Sequence, residues 1–228
     1  LMSYLDALDM VAGVEQNEHN WGQNNPYNIA NPSLQDKPVI GPHRGGDPEL
    51  IADVDPDVIF ANYVTAGNAD DLQATVGSPV VVVKAAGHPL HQIEGFYDDL
   101  EFVADLIGKS DRARSVIEFV ESEVQSLGER STKVPEFERP GVFLAGRSDT
   151  GGAGVTSTQH PFAPFSFVNA ANVADSITGH TTVNEEKLLT WNPDVIFVSE
   201  SNLDRVSNAL SQSTYGGINA IEEGNLYG

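Results

Sequence analysis

The residues able to carry charge, hydrogen bonds or a metal collect just after four short apolar runs. Asn62 and Tyr63 follow the run at 57 to 61, and Lys84 and His88 follow that at 79 to 83. Arg147 to Thr158 follow the run at 141 to 145, and Ser199 to Asn202 follow that at 194 to 198. The carboxyl ends of strands are where open α/β sheets bind ligands. Arg147, and Arg44 further upstream, would supply charge-assisted hydrogen bonds to an anion. Tyr63, His160, Phe162 and Phe165 would supply stacking surface. The segment "HPFAPFSF" at 160 to 167 reads as a loop with two uses, core packing or an apolar wall for a large planar or lipophilic ligand.

Other chemistries are disfavoured by what the sequence lacks. It has no cysteine, so disulfides, thiolate metal sites and cysteine nucleophiles are excluded. The pair His88 and His91 in "HPLH" has no further ligands at zinc-site spacing, so no metal site is assigned. "GRSDTGGAGVTST" at 146 to 158 follows a strand, yet it carries neither the Walker lysine nor a dinucleotide fingerprint. "GRSDT" also fails as a nucleophile elbow, because Thr150 stands where the second glycine is needed. No catalytic residue or intrinsic cofactor is assigned.

Charge narrows the partners. A formal charge of −21, from 33 acidic and 12 basic residues, would repel nucleic acid and anionic lipid. Lysine is scarce, at positions 37, 84, 109, 133 and 187 only. That balance fits a halophilic protein, since in 1 M salt the Debye length falls to about 3 Å and self-repulsion is screened. The sequence contains no apolar run long enough to cross a bilayer and no leader-like segment at Leu1. The expectation is a soluble mature piece, with a leader or anchor removed or unseen.

The elements that must position these groups follow from patterning. "DVIFA", "PVVVV", "GVFLA" and "DVIFV" are apolar on both faces, as parallel strands covered by helices are, and helical patterns lie between them. The class is α/β. One helix is expected from about Glu94 to Ile107, ending at Gly108. A second is expected from Ser110 to Gly128, with Ala113, Val116, Ile117, Val120, Val124 and Leu127 on one face. At about 1.5 Å per residue it would reach roughly 30 Å and could join two lobes. The expected domains are residues 1–108, the linking helix 109–132, and residues 133–228.

An internal repeat supports two lobes. "DPELIADVDPDVIFA" at 47 to 61 aligns with "NEEKLLTWNPDVIFV" at 184 to 198, a shift of 137 residues. Asp47 meets Asn184 as N-cap, and Glu49 meets Glu186 in the first turn. Asp55-Pro56 meets Asn192-Pro193, a turn that ends the short helix and launches a strand.

With these residues in view, the chain resembles the substrate-binding proteins of ABC importers for iron chelates, haem and corrinoids. The likeness rests on "GGDPELIADVDPDVIFA", "FYDDLEFVADLIGKSDRARSVIEFVESEV", "FVNAANVAD", "VNEEKLLTWNPDVIFV" and "YGGINAIEEGNLYG", in that order over nearly the whole chain. "NPYNIANPSLQDKPVIGP" and "GAGVTSTQHPFAPF" resemble an archaeal iron-complex branch. The resemblance implies two Rossmann-like lobes with mainly parallel sheets joined by a single long α-helix, as in class III periplasmic binding proteins. It implies a cleft between the lobes and modest hinge motion. Against the family pattern the chain begins after the first strand and stops before the last helices, which implies a fragment.

The resemblance also assigns roles. It implies a monomeric, extracellular solute-binding protein, anchored to the outer face of the membrane, that carries a ferric siderophore or haem to an importer permease. A corrinoid is the alternative cargo. Glu49 and Glu186 match the glutamates by which family members dock on arginines of the permease, and for haem the set Tyr63, His160, Phe162 and Phe165 would supply an axial ligand. A rival class, a two-lobed nucleotide-sugar enzyme, would need a phosphate loop or convergent carboxylates that the sequence does not display.

Overall fold

The computed structural model describes residues 1–20, 26–42, 46–62, 64–83, 93–147 and 153–228. The chain forms two compact units, Leu1–Phe119 and Val120–Gly228. The division falls inside the long helix rather than at either of its ends.

In the first unit the short helices α1 (Gln16–Asn20) and α2 (Pro26–Ala30) precede α3 (Pro48–Asp53) and strand β1 (Ile59–Ala61). Helix α4 (Ala66–Val76) then carries the chain to β2 (Val80–Val82), which lies parallel to β1 with Ile59 opposite Val80. A helix suits this connection because parallel neighbours need a crossover. Thr65 caps the start of α4 through the amide of Asn68, and Gly77, at φ 89°, closes its end. Helix α5 (Ile93–Ile107) buries Phe96, Leu100, Val103 and Ala104, the one-sided spacing of an amphipathic helix. Gly108 follows at φ 72°, and the Lys109 amide reaches back to the Ala104 carbonyl at 2.8 Å. A side chain at Gly108 would be strained there, which is why the sequence places glycine after the last turn.

Helix α6 (Ser110–Ser131) runs three residues past the expected stop at Gly128. Glycine in a helix interior costs about 1 kcal/mol relative to alanine, but it does not break the ladder. Here the Gly128 carbonyl accepts from the Thr132 amide at 3.0 Å, and Ser131 Oγ donates to it at 2.8 Å. The terminal turn is thus satisfied beyond the glycine. At the other end, Ala113 and Val116 are buried, Lys109 Nζ donates to the Asp6 carbonyl and Arg112 Nε to the Tyr4 carbonyl.

The second unit is built on a parallel sheet in the order β5 (Ala171–Asn172), β3 (Gly141–Ala145), β7 (Val195–Val198) and β8 (Leu226–Tyr227). Phe143, Ala145, Ile196 and Val198 belong to one core cluster with Leu188 of α8 (Glu185–Trp191) and Val206 and Leu210 of α9 (Leu203–Leu210). Tyr215, Ile218 and, from α10 (Asn219–Glu222), Ala220 belong to it too. Val142 and Leu144 pack instead on Phe165 of α7 (Ala163–Phe167), so alternate residues of β3 serve different clusters.

The repeat is structural as well as textual. Asp47 accepts from the amides of Glu49 and Leu50 at the start of α3, and Asn184 accepts from that of Lys187 at the start of α8. After each helix the matched residue takes the left-handed conformation, Asp55 at φ 44° and Asn192 at φ 42°. Asp and Asn tolerate that region better than most residues do. The chain then enters β1 or β7.

Strand β4 (Ser157–His160) begins inside the glycine-rich stretch 146–158 and pairs antiparallel with β6 (Gly179–Thr182). One expectation is corrected: "HPFAPFSF", read as a loop, holds α7. Neither "STQH" nor "GHTT" has the apolar signature of a strand, because their pairing is supported by polar contacts described next.

Candidate functional site

Strand β3 ends at Ala145, and the next two residues set the site. Gly146 sits at φ 69°, and a side-chain carbon there would meet Val206 Cγ2 at 3.0 Å and Asn202 Cβ at 3.1 Å. The buried Asn202 donates from Nδ2 to the Gly146 carbonyl at 3.0 Å and accepts the Ala153 amide at Oδ1 at 3.1 Å. Its place after β7 is one of the strand-end positions singled out from sequence.

Arg147 is then held on several sides. Its amide donates to the Ser157 carbonyl at 3.2 Å, and its carbonyl accepts from Ser157 Oγ at 2.8 Å and from His180 Nε2. Its Nε donates to Gln159 Oε1 at 3.1 Å, and the buried Gln159 is steadied in turn by its Nε2 donating to the Pro161 carbonyl at 3.4 Å. Register explains the convergence: Gln159 lies opposite His180 across the β4–β6 pair, and Ser157 lies two residues back on the same face. A guanidinium carries five N–H donors in a fixed fork, and here Gln159 holds that fork by its Nε. The arrangement orients a half-buried cation, which suits recognition of a carboxylate, phosphate-like or metal-oxo oxygen.

His160 and Thr158 project to the opposite face of β4. His160 Nδ1 lies 3.2 Å from Asn172 Nδ2, and Asn172 Oδ1 accepts the Ala174 amide at 3.0 Å. Thr158 is fully buried, and its Oγ1 has no hydrogen-bond partner among the described residues. Arg147, bonded to Gln159, and His160 therefore belong to opposite faces of the β4–β6 pair.

The aromatic residues divide. Phe165 is 8% exposed and packs on Val142 and Leu144, edge-on to Phe197 at 5.5 Å. Phe162 packs against the same cluster less deeply, 5.1 Å from Phe165 in a T-shaped pair. Phe165 is a core residue, so any ligand wall in this segment falls to Phe162 with Phe165 behind it. Tyr63 and Arg44 lie outside the described residues, as do Lys84, His88 and His91. Glu49 and Glu186 are both exposed, in the first turns of α3 and α8. Among the described residues no group of three His, Asp or Glu is placed to hold a metal ion, and no helix is long and apolar enough to cross a membrane. Gln159, Asn172 and His180 were not singled out from sequence, where they are polar letters without a motif.

Beside Glu186, Glu185 accepts a 2.8 Å hydrogen bond from the Tyr215 hydroxyl. Burial, and then the bond to Glu185 and its charge, push the Tyr215 ionisation up to about 12. An unfolded tyrosine ionises near about 10, so the native chain keeps a proton that the unfolded chain loses between these values. This contribution to stability is complete below about pH 10 and is lost as pH rises through about 12. Urea denaturation across that window should show the decline, and Tyr215→Phe should flatten it. An equal decline in the variant would assign the pH dependence elsewhere.

Comparison with known proteins agrees with this architecture. The family described as "Periplasmic binding protein" matches residues 4–228. Molybdate-binding protein MolA of Haemophilus influenzae is 24% identical over 239 residues, spanning 98% of this chain and 67% of MolA. The molybdate-bound structure of MolA superposes with a TM-score of 0.72 at 23% identity, covering 99% of this chain and 73% of that one. A periplasmic haem-binding protein from Pseudomonas aeruginosa gives 0.69 at 17% identity, covering 99% and 78%. FeuA of Bacillus subtilis, complexed with ferri-bacillibactin, gives 0.67 at 16% identity, covering 99% and 77%. A parallel α/β fold with a duplicated helix-turn-strand unit, matched by one family from residue 4 to residue 228, places this chain in the periplasmic binding protein family.

Proposed function

We propose that this protein captures a small solute outside the cytoplasmic membrane and delivers it to an ABC importer, without catalysing a reaction. The family match over residues 4–228 supports this reading most. Glu49 and Glu186 are the proposed docking carboxylates for the permease, one from each copy of the repeat. Arg147 is the proposed anchor for the solute, with Phe162 and the two residues outside the described set, Tyr63 and Arg44, contributing further surface.

The cargo we favour is an iron complex, a ferric siderophore or haem, with a corrinoid as the alternative within the same importer class. A second reading, a tetrahedral oxyanion such as molybdate, is supported by the likeness to MolA and by the oriented Arg147 guanidinium. Both readings use the same physics, a charge-assisted bond from a fixed fork to an oxygen anion.

A thermal-shift screen in molar salt separates these cargoes. It would compare ferric siderophores, haem, corrinoids and molybdate, with a nucleotide sugar as the enzyme control. A ligand at about a hundred times its Kd stabilises the native state by about 2.7 kcal/mol, so the melting point should rise for one class only. A rise with the nucleotide sugar alone would overturn the reading.

A further inference from the structure

The amide of Asn172 determines which nitrogen of His160 carries the proton. An N–H can be met only by an acceptor, so the Ala174 amide, 3.0 Å from Oδ1, identifies that end of the side chain as oxygen. The other end is then the NH2 group, and it faces His160 Nδ1 at 3.2 Å. An amide NH2 can only donate, so Nδ1 presents its lone pair and the ring proton sits on Nε2. His160 is half-buried, and its Nε2 has no hydrogen-bond partner among the described residues.

The two tautomers of histidine recognise different chemistry. A ring nitrogen that carries the proton has no lone pair to give to iron, and metal-ligating histidines more often donate their other N–H to an acceptor. Here the second partner is a donor, which is the reverse polarity. The arrangement fits a hydrogen bond to a ligand oxygen, not an axial bond to a metal centre.

We propose that Asn172 is a positioning residue that fixes His160 as an Nε2–H donor, so that His160 selects solutes presenting anionic or carbonyl oxygen and does not ligate iron. This rests on the solute-binding reading above and narrows its cargo. Oxygen-rich anions, a ferric chelate or a metal oxyanion, satisfy His160, and haem held through His160 iron ligation does not. His160 is thus separated from the axial role that the family resemblance implied for a haem cargo.

The proposal can be tested without knowing the cargo. Long-range proton–nitrogen correlation spectra of the full chain, with His160→Gln used for assignment, report the tautomer directly. Wild type should show the proton on Nε2. Asn172→Asp keeps an oxygen for the Ala174 amide and offers a second one to the ring, so its spectrum should switch to the Nδ1–H form. With ferric haem as probe, only Asn172→Asp should acquire the absorption spectrum of histidine-ligated ferric haem, and a further His160→Ala change should remove it.

An Nδ1–H form in the wild type would overturn the proposal even if the variant failed to fold. So would a His160-dependent spectrum of histidine-ligated ferric haem in the wild type, or an Asn172→Asp spectrum that keeps the proton on Nε2. Absence of binding by every solute in the thermal screen would instead count against the solute-binding reading and leave the tautomer result standing.

Discussion

Replacing Glu49 and Glu186 together by alanine should abolish solute uptake through the cognate permease and leave the affinity for the solute unchanged. Both side chains are exposed in first turns, and neither repeats the N-cap bond made by Asp47 or Asn184. Their structural part is the interaction of a carboxylate with a helix N-terminus, about 0.3–1 kcal/mol, so the fold should survive the double change. An exposed ion pair contributes only about 0–1 kcal/mol. Docking must then rest on two such contacts acting together with surface complementarity, and single variants should fall between wild type and the double variant. Transport in proteoliposomes with the permease, measured beside equilibrium solute binding, decides the matter. Uptake that falls only in proportion to lost affinity would remove the docking role.

Phe143→Ala should cost the second unit about 3–5 kcal/mol, the range for emptying a fully buried aromatic site. Phe143 is 0% exposed at the middle of β3, and its ring lies 6.0 Å from that of Trp191. It touches the core formed by β7, α8, α9 and α10 from the strand whose end positions Arg147. Whole domains are stable by about 5–15 kcal/mol, so the loss would remove much of the unit's margin. Hydrogen exchange of β3 and β7 amides reads the effect locally. A change below about 1 kcal/mol would mean that the core collapses onto the vacancy.

The parts of this fold that were legible in the sequence are those carried by local signals. The runs at 57 to 61, 79 to 83, 141 to 145 and 194 to 198 each contain an observed strand, and they pair in parallel as β1 with β2 and β3 with β7. Gly108 marks the end of α5 because only the glycine conformation suits that turn. The repeat was readable because capping and turn chemistry act within a few residues, as Asp47, Asn184, Asp55 and Asn192 demonstrate.

What was not legible depends on partners far along the chain. Strands β4 and β6 contain almost no apolar side chains, and their place is fixed by Arg147, whose partners Gln159 and His180 stand 12 and 33 residues away. Asn172 is likewise 12 residues from His160, and nothing in "ANVAD" announces an amide that orients a ring. Phe165 could not be told from a ligand wall because an apolar residue in a Pro-rich segment fits a core or a pocket equally well. Arg147 itself was visible, since a cation directly after a buried strand has few structural uses.

The most direct test of the account is an equilibrium titration of the wild-type protein and Arg147→Ala with the solute that raises the melting point most. One saturable site is expected, and the variant should bind about ten- to a hundred-fold more weakly, the equivalent of one charged hydrogen bond of roughly 1.5–3 kcal/mol. Equal affinity in the two proteins would contradict the proposed site, and no saturable binding by any solute of the panel would contradict the proposed function.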